Sequence, residues 1–398
     1  MNSGDIYVRG WGAVTTLGWN ATDAARNLIE AQAPPAKPGR SSHLINRDFN
    51  VFEVSHPGNP LEKAMAMLEG AIDEAFERAG LSPDEIAESS VLIGTTGGLF
   101  IRNEHEFIEA VRKNPDGETP PISCRNRGAG EVADFITKKY GIRGMALTFS
   151  IACVSSSHAL VVAADLLQSR KIRRAIVIGF EPLLNMTLHG FSSLLLFDYE
   201  RCRPFCATRA GMQIGEAASA VILDSGQNLS SRYTFSGGYL YNDIKSMTSA
   251  GIDGVTVSEV VRHTLDSARL SADDIIAIKA HGTGTKDNDL SEGRGLVRLF
   301  GEKLPPVVSL KGAIGHTLGA AGTAETDLWL SCLDEGIIPR SFGFSEMDPE
   351  IGFTPSQKNI DARDGAYLFT FFGFGGTCTS YLIIRNSTEN SSARAGSS

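Results

Sequence analysis

Apolar positions recur along this chain in two rhythms. Short β-branched runs, such as AIVIG at 175–179 and SAVILD at 219–224, alternate with longer amphipathic stretches, and the alternation predicts an α/β protein. Leu61, Met65, Leu68, Ile72 and Phe76 fall on one face of a predicted helix, because residues three or four apart in a 3.6-residue period share a side. From Asn386 the sequence NSTENSSARAGSS is small, polar and without apolar period, so it cannot bury enough surface to order itself. The folded part is expected to end near Arg385, leaving 386–398 as a disordered tail.

The pattern also repeats. The amphipathic helix that carries Leu61 to Phe76 is followed by LSPDEI (81–86), the strand VLI and the loop GTTGG. Later, a helix expected from about Ser258 to Leu270 is followed by LSADDI (270–275), the run IAIKA and the loop HGTGT. Ser82, Pro83 and Glu85 have the chemistry of a helix start, and Ser271, Asp273 and Asp274 give a looser version of it. Next, ALTFS leads into IACVSSSHALVVAADLL, and VVSLK leads into GAIGHTLGAAGTAETDLWL. Recurrence of these elements in order points to two similar halves.

Composition narrows the class of protein. A chain of 398 residues, 42% hydrophobic and 21% charged, suits a globular protein with a large core. No stretch approaches the roughly 18 to 20 unbroken apolar residues of a membrane span. The opening MNSGDIYVRGWG lacks the charged and apolar regions of a secretory signal, so the cytoplasm is the expected compartment. A net charge of −9 speaks against a nucleic-acid partner, which would call for a basic face. Cys124, Cys153, Cys202, Cys206, Cys332 and Cys378 show no metal-ligand spacing and read as free thiols.

Several residues have the setting of chemistry. Cys153 lies between a β-type run and the apolar stretch Ala159 to Leu167, hence at or near a helix N-terminus, where unpaired N–H groups and the helix dipole favour the thiolate. A buried structural cysteine is the plain alternative, and Ser155, Ser156 and Ser157 tilt against it as residues that keep the helix start open. His281 opens the loop HGTGT at a strand end; a positioned imidazole and an incidental turn histidine fit the pentapeptide equally well. Lys311 and His316 sit in SLKGAIGHTLGAAG, with a surface lysine and a core histidine as the bland readings. In FFGFGGT (371–377), Phe374 between glycines could aim a backbone N–H into a cavity, or simply belong to a hairpin turn.

In their order and spacing, these segments resemble one family closely: the β-ketoacyl-acyl carrier protein synthases of the elongating type, found in dissociated fatty acid and polyketide systems. The resemblance runs from about Ile6 to Arg385. It is carried by YVRGWGAVTTLG, IGTTGGL, A-C-x-S-S at 152–156, GFE at 179–181, RPF with Arg209, GE at 215–216, HGTGT with Glu292 eleven residues after His281, K-x-x-x-G-H at 311–316 and GFGGT at 373–377. It implies a thiolase-like fold of two duplicated βαβαβαββ halves in a five-layer αβαβα arrangement. The first half, 1–235, would carry the cysteine and the second, 236–385, both histidines.

By the same resemblance, Cys153 would accept an acyl group from an acyl carrier protein. His281 and His316 would hold the malonyl carbonyl and assist decarboxylation, so that the enolate attacks the acyl-cysteine. Backbone N–H groups of Cys153 and Phe374 would form an oxyanion hole, Lys311 and Glu292 would order the histidines and nearby water, and His158 would be structural. No metal or organic cofactor is implied. The expected partners are acyl- and malonyl-loaded carrier protein, together with a second copy or a sister ketosynthase-like chain. Lys63, Arg125, Arg127 and Arg203 are candidates to dock the carrier, and each also reads as an ordinary surface charge. HGTGT followed by K-x-x-x-G-H speaks against a thiolase and against the initiating type of synthase. A non-catalytic, chain-length-determining partner of an active synthase is the alternative from another class; such partners typically lack the nucleophile, and Cys153 is present.

Two departures stand out. Cys206 follows RPF where the family usually has aspartate, which would remove a partner of Arg209, and Cys378 follows GFGGT where asparagine is usual, which would loosen hydrogen bonding near the active-site loop. They suggest a divergent member serving a specialised polyketide, polyene or lipid pathway.

Overall fold

The computed structural model describes residues 5–31, 37–38, 48–117, 128–226, 231–244 and 251–387. Cys124, Arg125, Arg127 and the expected tail beyond residue 387 lie outside the described residues.

Among the described residues, ten strands form one hydrogen-bonded succession. In chain order they are β1 (Ile6–Val14), β2 (Ser90–Gly94), β3 (Ala146–Phe149), β4 (Arg174–Glu181) and β5 (Ala217–Asp224), then β6 (Tyr233–Asn242), β7 (Ile275–Lys279), β8 (Val307–Val308), β9 (Gly365–Gly373) and β10 (Thr377–Arg385). Across the sheet the order is β8, β7, β9, β10, β6, β1, β5, β4, β2, β3. Each half therefore places its strands as third, second, fourth, fifth, first, counted along its own sequence. β3, β2 and β4 run parallel, as do β8, β7 and β9. The fifth strand is antiparallel to both neighbours in each half. The halves meet where β1 runs antiparallel to β6. The recurrence along the chain is thus a repeat of topology, and the expected boundary at 235/236 falls inside β6.

Strand side chains alternate between layers because successive residues of a strand point to opposite faces. In β2, Val91 and Ile93 join one apolar cluster and Leu92 another; in β9, Tyr367, Phe369 and Phe371 face the shared central cluster while Ala366 and Leu368 face outward. Helices α1 (Pro60–Ala79) and α2 (Gly130–Tyr140) cover the outer face of the first half. α4 (Val255–Ala268) and α5 (Lys286–Phe300) cover that of the second. α3 (Ser155–Gln168) and α6 (Ala321–Asp334) lie between the halves, giving the five layers αβαβα.

Local signals set the helix ends. α1 starts at Asn59, whose side chain accepts from Leu61 and Glu62 N–H while Glu62 reaches back, and it stops at the left-handed Gly80. Its apolar face is the expected one, with Leu68, Ile72 and Phe76 buried and Leu61 and Met65 packed at the edge. The helix expected from Ser258 begins three residues earlier, because Asp253 Oδ1 accepts the Val255 N–H and Gly254 supplies the turn; the left-handed Arg269 ends it. Ser82 and Glu85 form a capping box, and Ser271 with Asp274 forms one on a single 3-10 turn.

The central layer is drawn together by missing side chains. A Cβ on Gly94 of β2 would stand 2.1 Å from the backbone nitrogen of Ser156, and one on Gly322 of α6 would stand 2.1 Å from that of Ser157. The first turn of α3 therefore touches sheet and neighbouring helix main chain to main chain.

Candidate active site

Cys153 lies in the turn between β3 and α3, just ahead of the helix. The preceding residue, Ala152, takes a left-handed backbone with φ 48°, a costly conformation for a residue with a side chain. Ser155 holds it there: its Oγ accepts from Ile151 N–H at 2.8 Å and donates to the Ala152 carbonyl at 2.7 Å. Ser156 Oγ accepts from Thr323 N–H at 3.2 Å, and Ser157 donates to the Val154 carbonyl. All three serines are fully buried. They close the start of the helix by tight packing, where an open helix start was expected.

The sulfur shares an apolar cluster with Phe49, Leu188, Phe197, Met212 and Leu318. Burial raises the Cys153 thiol to about 12, against the charge of Lys311 and the backbone N–H groups of Phe374 and of Cys153 itself, with Glu181 adding to the rise. The resting group is a thiol, contrary to the thiolate expected from the helix terminus. A helix end contributes only about 0.3–1 kcal/mol, and desolvation of a buried sulfur exceeds it.

His281 stands directly after β7, in a loop held by carboxylates. Glu292 on α5 accepts the backbone N–H groups of His281 and Gly282, both at 2.7 Å, and the Thr370 hydroxyl at 2.7 Å. Asp289, also on α5, takes the N–H groups of Thr283, Gly284 and Phe205. Lys311 Nζ donates to His281 Nδ1 at 3.2 Å, to the His281 carbonyl at 2.8 Å and to Glu325 Oε1 at 2.6 Å. An ammonium can only donate, so His281 Nδ1 accepts and the ring proton sits on Nε2. His316 Nδ1 accepts the Leu318 N–H at 3.2 Å, which assigns its proton to Nε2 as well. The two rings stand edge to face, 5.3 Å between centroids. Burial, then the charges of Lys311 and Lys279, hold both imidazoles well below their ordinary range, and for His281 the His316 ring adds to this. Both are neutral Nε2–H donors.

Lys311 and Glu292 thus order His281, one through the ring and one through the main chain. His316 is oriented by its own loop and feels Lys311 only as a charge. Burial raises Glu292 to about 7 despite its N–H partners.

Cys153, His281, His316 and Phe374 line one cavity of about 350 Å³, whose exposed rim carries Leu195 and Lys286. Phe374 sits in the turn joining β9 to β10, with Gly375 and Gly376 left-handed, and its N–H reaches the Cys153 sulfur. The hairpin turn and the inward N–H are both real.

Besides Asp289, three more buried charges near the site were missed. Glu181 accepts from Thr96 N–H and Oγ1, Gly97 N–H and Gly319 N–H at 2.8–3.0 Å, tying the GTTGG loop to the loop after His316. Burial raises it to about 7. Glu325 and Lys279 pair at 2.6 Å, each fully buried. The signal for Glu325 was a carboxylate in the middle of a buried helix, where Asp327 is a second one.

Comparison with known proteins agrees with this arrangement. Residues 6–228 match the family model for the N-terminal domain of β-ketoacyl synthases, and residues 234–345 match that for the C-terminal domain. The chain belongs to the β-ketoacyl synthase family. It is an acyltransferase with a thiolase-like fold. Nodulation protein E of Rhizobium leguminosarum bv. trifolii is 30% identical over 94% of this chain and 97% of its own length. The tetracenomycin polyketide synthase ketoacyl synthase alpha subunit of Streptomyces glaucescens is 25% identical, over 94% of each chain. Among solved structures, a ketosynthase in complex with its chain length factor from Xenorhabdus doucetiae superposes with a TM-score of 0.82 at 26% identity, over 96% of this chain and 98% of the other.

In this β-ketoacyl synthase the two departures are absorbed. Arg209 finds its carboxylate in Asp348, 139 residues further along the chain, and also donates to the Cys206 carbonyl, so it does not lack a partner for want of an aspartate at 206. Cys378 is buried against Val257, Val260 and Phe372 and stays in register opposite Phe372, so the β9–β10 ladder is intact to its tip. His158 pairs with Thr379 Oγ1 at 2.6 Å. Two docking candidates are corrected: Lys63 is buried between Glu53 and Glu216, and Arg203 is engaged by Asp198 at 2.9 Å. Neither offers a free cation. Among the described residues, no helix is long and apolar enough to cross a membrane.

Proposed function

We propose that this β-ketoacyl synthase elongates a carrier-bound acyl chain by decarboxylative Claisen condensation, with Cys153 from the first half and His281 and His316 from the second as its catalytic residues. The observation that carries the reading is the convergence of that thiol, two Nε2–H imidazoles and the Phe374 N–H on one cavity. Cys153 Sγ attacks the acyl thioester, its proton leaves with the carrier thiol, and the acyl group stays on the enzyme. Malonyl-carrier then enters. Its carboxylate departs as carbon dioxide, and the electron pair of the broken C–C bond forms an enolate whose oxygen takes hydrogen bonds from both Nε2–H groups. The enolate carbon attacks the acyl-cysteine carbonyl, the N–H groups of Cys153 and Phe374 hold the resulting oxyanion, and collapse leaves a β-ketoacyl carrier and expels the Cys153 sulfur as a thiolate, which takes one proton from water to return to the resting thiol. Neutral imidazoles suit this work, since a charged ring would cost more to bury and a carboxylate would repel the enolate.

The partner is the acyl carrier protein in acyl- and malonyl-loaded forms. The chain pairs with a second copy or a sister chain; the open sheet edge at β3, beside the exposed Met145, supports pairing. The five described cysteines are free thiols, which supports the cytoplasm as the compartment. The test is to incubate wild type and Cys153→Ala with carrier thioesters of different acyl chains and record intact mass. An acyl adduct on wild type alone, largest for one acyl class, is expected. Absence of any adduct would turn the reading to the non-catalytic chain-length partner. For pathway, a specialised polyketide, polyene or lipid route is proposed, and full rescue of a housekeeping-synthase knockout would count against it.

A further inference from the structure

Lys279 takes no part in the chemistry above, yet it is fully buried at the end of β7, two residues before His281. Its ammonium donates to Glu325 Oε2 at 2.6 Å and to the Thr370 carbonyl at 3.3 Å, and lies 3.3 Å from the Phe371 ring centroid. Phe371 in turn meets the His281 ring at 6.3 Å. Glu325 thus holds two lysines, Lys279 on one oxygen and Lys311 on the other. The charged and titratable groups facing this cluster are Lys311 at the start of the short helical turn after β8, Glu325 on α6, Glu292 on α5, Tyr381 on β10, the Cys153 and Cys202 thiols, and the two imidazoles. Asp289, also on α5, is taken up by its own loop. With both lysines and both glutamates ionised the cluster is neutral, so loss of one lysine would leave a buried carboxylate uncompensated. It would also free Glu325 Oε2 to capture the Lys311 ammonium.

We propose that Lys279 is a positioning residue for the condensation: by occupying Glu325 Oε2 it leaves Lys311 only Oε1, which keeps the Lys311 ammonium against His281 Nδ1 and so presents Nε2–H to the malonyl carbonyl. It rests on the ketosynthase reading above and adds to it a residue that touches neither substrate nor reacting atoms.

The experiment measures malonyl-carrier decarboxylation between about pH 5 and 9 for wild type, Lys279→Met and Lys279→Gln, with acyl loading of Cys153 followed by mass in parallel. In both variants kcat is expected to fall about tenfold or more with KM within about twofold, while loading is retained. The acid limb is expected to move to higher pH, because a cation that opposes protonation of His281 has gone. Methylammonium added to Lys279→Ala should restore part of the lost rate. Wild-type kcat and an unmoved acid limb in a folded variant would overturn the proposal. So would a loss of loading and decarboxylation together that tracks the fraction unfolded, or failure of both variants to fold, since either assigns Lys279 to the fold alone. A wild-type enzyme that neither loads nor decarboxylates sinks the ketosynthase reading instead, so the two failures are told apart.

Discussion

The two halves reach the cavity through the same place in their topology, the segment between the third strand and the long helix after it. Between β3 and α3 that segment delivers Cys153; between β8 and α6 it delivers Lys311 and His316. The surroundings diverge. Cys153 is packed among Phe49, Phe197 and Leu318, with no carboxylate hydrogen-bonded to it among the described residues, and burial above all raises its thiol, with the Glu181 charge adding to it. The histidines stand beside a buried quartet of Lys279, Lys311, Glu292 and Glu325, and burial, with the nearby charges of Lys311 and Lys279, drives them neutral. One scaffold repeated twice thus supplies an apolar wall to one reactant and a polar, charge-balanced wall to the other. Desolvation acts on both, suppressing the charged form of each group, so the two walls arrive at uncharged partners by different routes.

That contrast can be broken most severely on the charged side. Lys311→Met leaves Glu325 with one partner and His281 Nδ1 with none, and is expected to cost about 3–5 kcal/mol of stability by denaturant titration, along with the decarboxylation activity. A loss under about 1 kcal/mol would mean the quartet is not the tightly coupled unit its distances imply.

On the apolar side the contrast sharpens through pH. Because the Cys153 thiol is raised to about 12, its alkylation by iodoacetamide should climb about tenfold per pH unit between about pH 7 and 10 without a plateau, read as mass gained over Cys153→Ala. A plateau near neutrality would show that the helix terminus overcomes burial after all.

The smallest effect concerns stability. His281 stays neutral in the folded protein, while an unfolded imidazole takes up a proton near pH 6.5. The folded protein therefore binds fewer protons, and this contribution is present above about pH 6.5 and lost as pH falls below it. Between about pH 7 and 5, wild type should lose about 2 kcal/mol more than His281→Gln, measured by denaturant midpoints at each pH. An equal loss in both would place the protonation elsewhere.

What the chain disclosed before its structure was known follows the range of each interaction. The amphipathic face of α1, the Ser82 capping box, the cysteine ahead of α3 and the histidine after β7 depend on neighbours within a turn or two, and they stand out in the pattern. The charge quartet does not, because Lys279 and Glu325 lie 46 residues apart and meet only once β7 and α6 are packed. Lys63 was read as a surface cation for the same reason, since nothing nearby announces that Glu216 will bury it. Arg209 was thought to lack a partner because Asp348 is equally remote in sequence. The acidity of Cys153 was misjudged because the dipole is local and legible, whereas the depth of burial is a property of the assembled layers.

The contact of α3 through Gly94 and Gly322 has a further bearing on how such an enzyme can change. Main chain against main chain fixes the sulfur's depth without help from any side chain that lines the acyl space. Leu195, Leu196 and Met212, which line that cavity, can therefore be exchanged for larger or smaller residues, altering the length of chain it has room for, while the distance from sulfur to imidazoles stays as it was. Measuring substrate and joining carbon atoms are separable traits in this architecture, free to drift on different clocks.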